Sequence, residues 1–375
     1  MAMAKRVPSG VSRKPASDRK ARALLAWYDA NRRELPWRAG PGVRPDPYRV
    51  WLSEIMLQQT TAAAVGSYYT VFLKRWPTVK ALAAASQDEV LGAWAGLGYY
   101  SRARNLHRTA RIVAGGPGGH FPDTADGLRK LPGVGAYTAG AVAAIAFGER
   151  AVAMDANAER AIARLFAVEE PLPKAKKRLA ALAGPLVPAT RPGDFAQAMM
   201  DLGALVCTPK RPLCVRCPWM RDCEGRKREI AESLPRKGAK KPRPVRRGAA
   251  FVALDRKGFV YLERRPENGL LGAMLQPPLG PWREEFPAPA DAAQQAPFKS
   301  AWKKRPGVVR HGFTHFVLEM EIYVALFKSR PKADGSWFAP DDLSGAALPT
   351  AMRKMLAHAA DAPGPPRAHT KVRRC

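Results

Sequence analysis

The sequence predicts an all-α domain followed by a smaller α+β domain, and three observations carry that prediction. Residues 20 to about 230 place Ala, Leu, Trp and Arg at helical spacing, with Gly and Pro marking the breaks. The stretch LPRKGAKKPRPVRR then holds seven basic residues, three prolines and no acid, which reads as an extended, solvated linker. Beyond it, AAFVALDRKGFVYLERR and HFVLEMEIYVALF alternate apolar with polar residues in the manner of strands, the first around a turn at Asp255 to Gly258. The expected organisation is a disordered basic tail at 1–19, a helical domain at 20–232, a linker at 233–247, the second domain at 248–358 and a Pro/Ala/Arg-rich disordered tail at 359–375.

The balance of 62 Lys and Arg against 32 Asp and Glu gives a formal net charge of +30. A field of that strength favours a polyanionic partner, with nucleic acid ahead of an anionic membrane. No uninterrupted apolar run approaches the ~20 residues needed to span a bilayer. The N-terminus, MAMAKRVPSGVSRKPASDRK, is basic but lacks the apolar centre of a secretory signal. These features place the chain in a reducing, DNA-containing compartment: the cytoplasm on a bacterial nucleoid, or the nucleus or mitochondrion of a eukaryote.

Of the five cysteines, Cys207, Cys214, Cys217 and Cys223 fall in one short segment, separated by six, two and five residues. Pro209, Pro212 and Pro218 keep that segment in loops, so it can wrap one metal centre, bringing Lys210, Arg211, Arg216 and Arg221 with it. Thiolates suit both zinc and iron-sulfur clusters. Structural zinc more often uses two close pairs, whereas only Cys214 and Cys217 are close here, which favours a 4Fe-4S cluster. Cys375 lies too far away to be given a role.

In DTADGLRKLPGVGAYTAGAVAAIAFG the sequence predicts an N-cap at Asp123 or Thr124 and a first helix ending near Leu131. A hairpin from Pro132 to Gly135 and a second helix from about Ala136 follow. This is a helix-hairpin-helix pattern. Gly133 and Gly135 lack a Cβ, so the backbone there can approach a phosphate closely and point N–H groups at it. In AMDANAERAIARLF, further on, Asp155 precedes a basic amphipathic helix and can serve as its N-cap.

Helix-hairpin-helix, following Asp and four-cysteine loop, in this order, resemble the endonuclease III superfamily of DNA glycosylases. Within it, LPWR, WLSEIMLQQT, WAGLGYYSRARNL, LPGVGAYTAG and QAMMDLGALVC resemble the MutY-type adenine glycosylases over residues 20 to 230. Residues 246–356 resemble that family's Nudix-like C-terminal domain more loosely, through RRPENGLLGAM and HGFTHF. The chain departs from the family pattern at Ala156, where Gly is usual, at Glu159, where a basic residue is usual, and in LQPPL after Met274.

The resemblance implies a monomeric, monofunctional glycosylase that removes adenine mispaired with 8-oxoguanine or guanine in duplex DNA. It implies one 4Fe-4S cluster on the four cysteines. Cleavage passes through an oxocarbenium-like sugar, and two carboxyl groups suffice for it. By resemblance Glu54 protonates adenine at N7 and Asp155, with Asn157 nearby, stabilises the sugar cation. The apolar surroundings of Glu54 would raise its pKa and keep the proton available. The turn Gln58, Gln59, Thr60 enters the duplex beside the extruded adenine, and Tyr99 wedges beside the opposite base. Trp37, Arg38 and Asp201 are pocket candidates divided between adenine contact and structural support. Tyr137 stands where lyase-active relatives carry a Schiff-base Lys, and a phenol cannot form that bond. Phe313, Thr314 and His315 match a loop that reads 8-oxoguanine, as an aromatic wedge followed by two hydrogen-bonding groups. No glutamate-rich metal helix follows Met274, so a second, Nudix-type active site is not expected.

Overall fold

The computed structural model describes residues 16–238, 242–267 and 269–360. Two compact units result: residues up to 83 join 108–239 in the first, and residues 84–107 join those from 240 onward in the second. Among the described residues no helix is long and apolar enough to cross a membrane.

Several helices of the first unit begin where short polar side chains take up free backbone N–H groups. Helix α1 (Ala16–Asn31) is followed by α2 (Pro47–Leu57), which is capped by Asp46 accepting from Arg49 N at 3.1 Å and has Pro47 at its first position. Then come α3 (Ala62–Arg75), capped by Thr61, and α4 (Val79–Ala84). Helices α5 (Gln87–Ala93) and α6 (Ser101–Gly115) carry the chain through the second unit, and α6 ends back in the first.

The predicted hairpin lies between α7 (Ala125–Leu128), capped by Thr124, and α8 (Ala136–Phe147). Helix α8 is apolar on all sides, AYTAGAVAAIAF, and is buried accordingly between α2, α7 and α11 (Pro192–Leu205). The remaining helices, α9 (Ala156–Leu165), α10 (Lys176–Ala183) and α12 (Glu224–Lys227), complete this unit. Its core joins Leu24, Tyr28, Ile162, Phe195, Met199, Leu202 and Trp219.

In the second unit a seven-stranded sheet runs in the order β3-β2-β1-β6-β4, with β5 on β6 and β7 on β2. The strands are β1 (Val245–Asp255), β2 (Val260–Arg264), β3 (Leu275–Gln276), β4 (Lys303–Lys304), β5 (Val309–Gly312), β6 (Val317–Phe327) and β7 (Ser336–Phe338). Strands β1 and β6 pair in parallel, from Val245 opposite Val317 to Asp255 opposite Phe327. Their apolar side chains feed a core with α14 (Thr350–Ala360), while α13 (Pro289–Gln294) contributes Ala292 to a second apolar cluster with Phe251 and Tyr323. The β1–β2 turn forms where expected: Asp255 Oδ1 accepts from Lys257 N and Phe259 N, each at 2.8 Å, and Gly258 takes φ +82°.

Several boundaries differ from the sequence expectation. Helix α1 starts at Ala16 and α14 runs to Ala360, each inside an expected tail, and the rest of both tails, with Cys375, lies outside the described residues. The linker is not extended and solvated throughout, because Leu172 N donates to Arg236 O and β1 already begins at Val245. Residues 84–107 cluster with the second unit, a long-range preference that helical periodicity does not encode.

Helix α11 lies so close to the start of α9 that only glycine fits at position 203: a Cβ there would sit 2.4 Å from Asn157 Cβ and 2.9 Å from its Cα. Gly203→Ala is therefore expected to lower the unfolding free energy by about 1–3 kcal/mol through overpacking, measured by urea denaturation. Unchanged stability would contradict this close approach.

Candidate active site

Helix α2 is buried along most of its length, Tyr48 through Met56 contributing eight buried residues, and Glu54 is the one carboxylate among them. Glu54 is 3% exposed, and Tyr137 Oη, from the second residue of α8, donates to its Oε2 at 2.6 Å. Burial raises the Glu54 pKa to about 7. The Tyr137 hydrogen bond and the Arg38 charge oppose that rise, and the neighbouring Asp155 carboxyl adds to it.

Asp155 is the N-cap of α9. Its Oδ1 accepts from Ala158 N at 2.7 Å and its Oδ2 from Asn157 Nδ2 at 2.9 Å. Burial raises its pKa as well, against the pull of these donors and of Arg160. N-capping is thus part of what Asp155 does, and the same geometry aims a carboxyl at the Glu54 neighbourhood.

A cleft of about 430 Å3, open to solvent, lies against Glu54 and is lined also by Trp37, Arg38, Leu57 and Gln197. Trp37 meets Tyr69 edge-on at 5.7 Å, which fixes its ring. Asp201 is fully buried and does not line the cleft. It takes the Arg38 guanidinium at 2.5 and 2.8 Å and Arg33 Nε at 2.5 Å. Burial opposes ionisation of Asp201, but these cationic donors outweigh it and hold the carboxyl below its ordinary value. Of the two roles open to Asp201, structural support is the one its geometry fits. Sequence reasoning missed Gln197, one helical turn before Asp201 on the same face of α11. The i, i+4 spacing from Asp201 was the signal available.

The Gln-Gln-Thr turn divides its labour. Gln58 is half-buried, its Nε2 donating to Thr138 Oγ1 at 3.0 Å and to Gly133 O at 3.4 Å. Gln59 is exposed and takes φ +56°, a left-handed conformation that non-glycine residues rarely adopt. Thr60 Oγ1 donates to Gln58 O at 3.3 Å. Gln58 is thus tied inward and Gln59 projects. In the hairpin, Gly133 has φ +76°, and Gly135 precedes α8 with no side-chain cap and nothing near the position a Cβ would occupy.

The four cysteines line one apolar, partly open pocket with Ala161, Leu165, Leu202, Trp219 and Arg226 around it. Among the described residues no three His, Cys, Asp or Glu side chains converge closely enough to share one metal ion. Burial pushes the Cys217 thiol up to about 12 and raises Cys223. Two arginines of α9 fasten this loop. Arg164, fully buried, donates to Leu234 O, Thr208 O and Pro209 O at 2.7–3.0 Å and to Cys207 Sγ at 3.4 Å. Arg160 donates to Cys207 O and Gly203 O, each at 2.7 Å, and to Asn157 Oδ1 at 2.8 Å. Glu159, the departure noted in the sequence, pairs with Lys176 at 3.0 Å.

In the second unit, Tyr99 takes φ +47° and its Oη shares a hydrogen bond with Thr314 Oγ1 at 3.1 Å. Both line an open cleft of about 1470 Å3 that also includes Arg104, His311 and His315. Tyr100 is largely core. Thr314 and His315 are exposed at the tip of the β5–β6 turn, but Phe313 is not a free wedge: it stacks on Phe316 at 4.8 Å and on Trp282 at 6.4 Å. An aromatic side chain beside a strand end buries itself when partners are at hand. After Met274 the described chain runs through β3 and irregular backbone until Pro289, with no helix in between.

A helical unit that sets a helix-hairpin-helix beside one buried and one half-buried carboxyl defines a class, and residues 52–186 match the family described as HhH-GPD superfamily base excision DNA repair protein. Residues 249–358 match the NUDIX domain family. The chain belongs to the adenine DNA glycosylases of base excision repair: it is 36% identical to the human adenine DNA glycosylase over 397 residues, covering 89% of this chain and 72% of that protein. The adenine DNA glycosylase of Buchnera aphidicola from Acyrthosiphon pisum is 29% identical over 89% of this chain and 95% of its own length. A solved thermostable thymine-DNA glycosylase aligns with TM-score 0.51 and 33% identity, over 56% of this chain and 97% of that one.

The raised Glu54 pKa has a consequence for stability. Below about pH 4.5 the carboxyl is neutral folded and unfolded. Between about 4.5 and 7 the unfolded chain releases a proton that the folded chain keeps, so stability falls across that window. Glu54→Gln removes the penalty. It is expected to stabilise the protein by on the order of 3 kcal/mol at pH 8 and by much less at pH 5, compared by urea denaturation. A gap that does not change with pH would contradict the shift.

Proposed function

We propose that this chain excises adenine mispaired with 8-oxoguanine or guanine in duplex DNA, as a monomeric, monofunctional hydrolase. The observation that carries this reading is Glu54, buried beside an open cleft and held by Tyr137 with a pKa near neutrality. An acid whose pKa lies near the working pH donates well and is re-protonated readily.

The target base must leave the stack to be reached. Gly133, Gly135 and the uncapped start of α8 hold a phosphate on backbone N–H groups. The projecting Gln59 fills the space that the extruded adenine vacates. Within the cleft, Trp37 packs on the base, Gln197 reaches its polar edge, Arg38 stays locked to Asp201 in the wall, and Glu54 gives its proton to N7. As the glycosidic bond lengthens, positive charge grows on the sugar. Asp155 faces that charge, and the Ala158 N–H and the Asn157 amide favour its ionised form. Water then adds to the sugar. Tyr137 offers no amine, so the strand is not nicked through a Schiff base.

Reading of the opposite base falls to the second unit, where Thr314 and His315 present hydrogen-bonding groups beside Tyr99. Phe313 supports this turn from below.

Cys207, Cys214, Cys217 and Cys223 would hold one 4Fe-4S cluster, since all four line the same apolar pocket. Such a cluster, filling all its protein coordination positions with thiolates, fixes the loop bearing Lys210, Arg211, Arg216 and Arg221 against DNA.

The proposal is tested by base release from duplexes carrying adenine opposite 8-oxoguanine, guanine or thymine. Release is expected for the first two, without nicking before alkali. Glu54→Gln and Asp155→Asn should each lose release by at least about a thousandfold while retaining binding in a gel-shift assay, because each removes a group needed in the transition state. Near-normal turnover by either variant would sink the assignment. Purified protein should also be brown, with about four iron atoms per chain by elemental analysis; a colourless, zinc-loaded, fully active protein would contradict the cluster.

A further inference from the structure

Two consecutive residues at the start of α8 reach Glu54 on α2 and Gln58, the residue that ends it. Tyr137 donates to Glu54 at 2.6 Å, and Thr138 Oγ1 receives the Gln58 amide at 3.0 Å. The second contact has no place in the chemistry described above. Thr138 is 2% exposed, so its hydroxyl is a built-in acceptor and not a chance surface contact. The same Gln58 amide also reaches the carbonyl of Gly133, the left-handed residue of the hairpin. Thr109, likewise buried, donates to the preceding carbonyl, Pro132 O, at 2.9 Å. The hairpin thus has two successive carbonyls tied inward. Immediately after Gln58 comes Gln59, held at φ +56°, a conformation that persists only where neighbours over-determine it.

We propose that Thr138 is a positioning residue for duplex opening: with the Gly133 carbonyl it fixes the Gln58 amide, and through it the outward pose of Gln59 and the hairpin edge that grips phosphate. The inference rests on the glycosylase reading given above. Phosphate capture, duplex entry and the acid Glu54 are then parts of one rigid junction between α2 and α8. Loss of the hydroxyl loosens entry into the duplex and leaves the proton donor in place, because Tyr137 and Glu54 keep their own bond.

Thr138→Val keeps the buried shape and removes the acceptor. It is expected to slow single-turnover adenine release about five- to tenfold, the loss of roughly one hydrogen bond. It should also lower the fluorescence rise when 2-aminopurine, replacing the target adenine, is extruded. The pH profile of the remaining release should be unchanged, and Thr138→Ser should restore both rate and fluorescence. Gln58→Ala supplies the cycle: if both side chains act through one bond, the double variant is no slower than the slower single one. Wild-type rate and fluorescence in Thr138→Val would overturn the proposal, as would failure of the Ser rescue or additive losses in the cycle. If Thr138→Val fails to fold, Gln58→Ala alone must show the reduced fluorescence rise with an unchanged pH profile, and an unaltered rise overturns the proposal. Should wild-type protein release no adenine at all, the glycosylase reading fails separately. Amide hydrogen exchange at the hairpin then decides the latch: about tenfold faster exchange in Thr138→Val upholds it, and unchanged exchange overturns it.

Discussion

A carboxyl group keeps its proton near neutral pH only if it is taken out of water, and the first unit is organised around doing so for Glu54. Helix α2 carries it among Trp51, Leu52, Ile55 and Met56, and α8, apolar on every face, closes over it. An unpartnered buried acid would be a large liability. Tyr137 meets it with a single short hydrogen bond, which satisfies the group without fully restoring the charged form. The acid is therefore neither free nor neutralised by a salt bridge. Arg38, the nearest cation, is instead consumed by the buried Asp201, so its charge reaches Glu54 only weakly.

The second carboxyl depends on a different element. Asp155 sits at the head of α9, and the same helix carries Arg160 one turn later and Arg164 a further turn on. Arg160 links the Asn157 amide, which contacts Asp155, to the carbonyl of Cys207, and Arg164 gathers the carbonyls of the cysteine loop. Helix α9 is thus a short rod with a reaction group at one end and the cysteine loop clamped along its side. Loosening of the loop is felt at Asn157 through one guanidinium, and the tight approach of Gly203 leaves Asn157 no room to compensate.

Where the sequence was legible, a local rule governed the outcome. The hairpin could be read because Gly133 supplies a positive φ, and the β1–β2 turn because Asp255 accepts from two following N–H groups before Gly258. The burial of Glu54 followed from the largely apolar stretch around it. Long-range facts were not legible. Alternation marks β1 and β6 as strands but says nothing of their parallel pairing, and no periodicity places residues 84–107 in the second unit. The division between Gln58 and Gln59 depends on Thr138, eighty residues away in sequence. Phe313 turned inward because Trp282 and Phe316 lie beside it, and Asp201 proved to be a support for Arg38 while Gln197, unremarked in the sequence, lines the cleft.

The central claim is that Glu54 holds its proton into the neutral range, and the most direct measurement is a side-chain carboxyl titration by 13C NMR of glutamate-labelled protein, with Glu54→Gln identifying the signal. The account predicts a midpoint near pH 7, set by burial and moderated by Tyr137. A midpoint near the ordinary glutamate value of about 4.3 would contradict it, because an acid already ionised at neutral pH has no proton to give the leaving base.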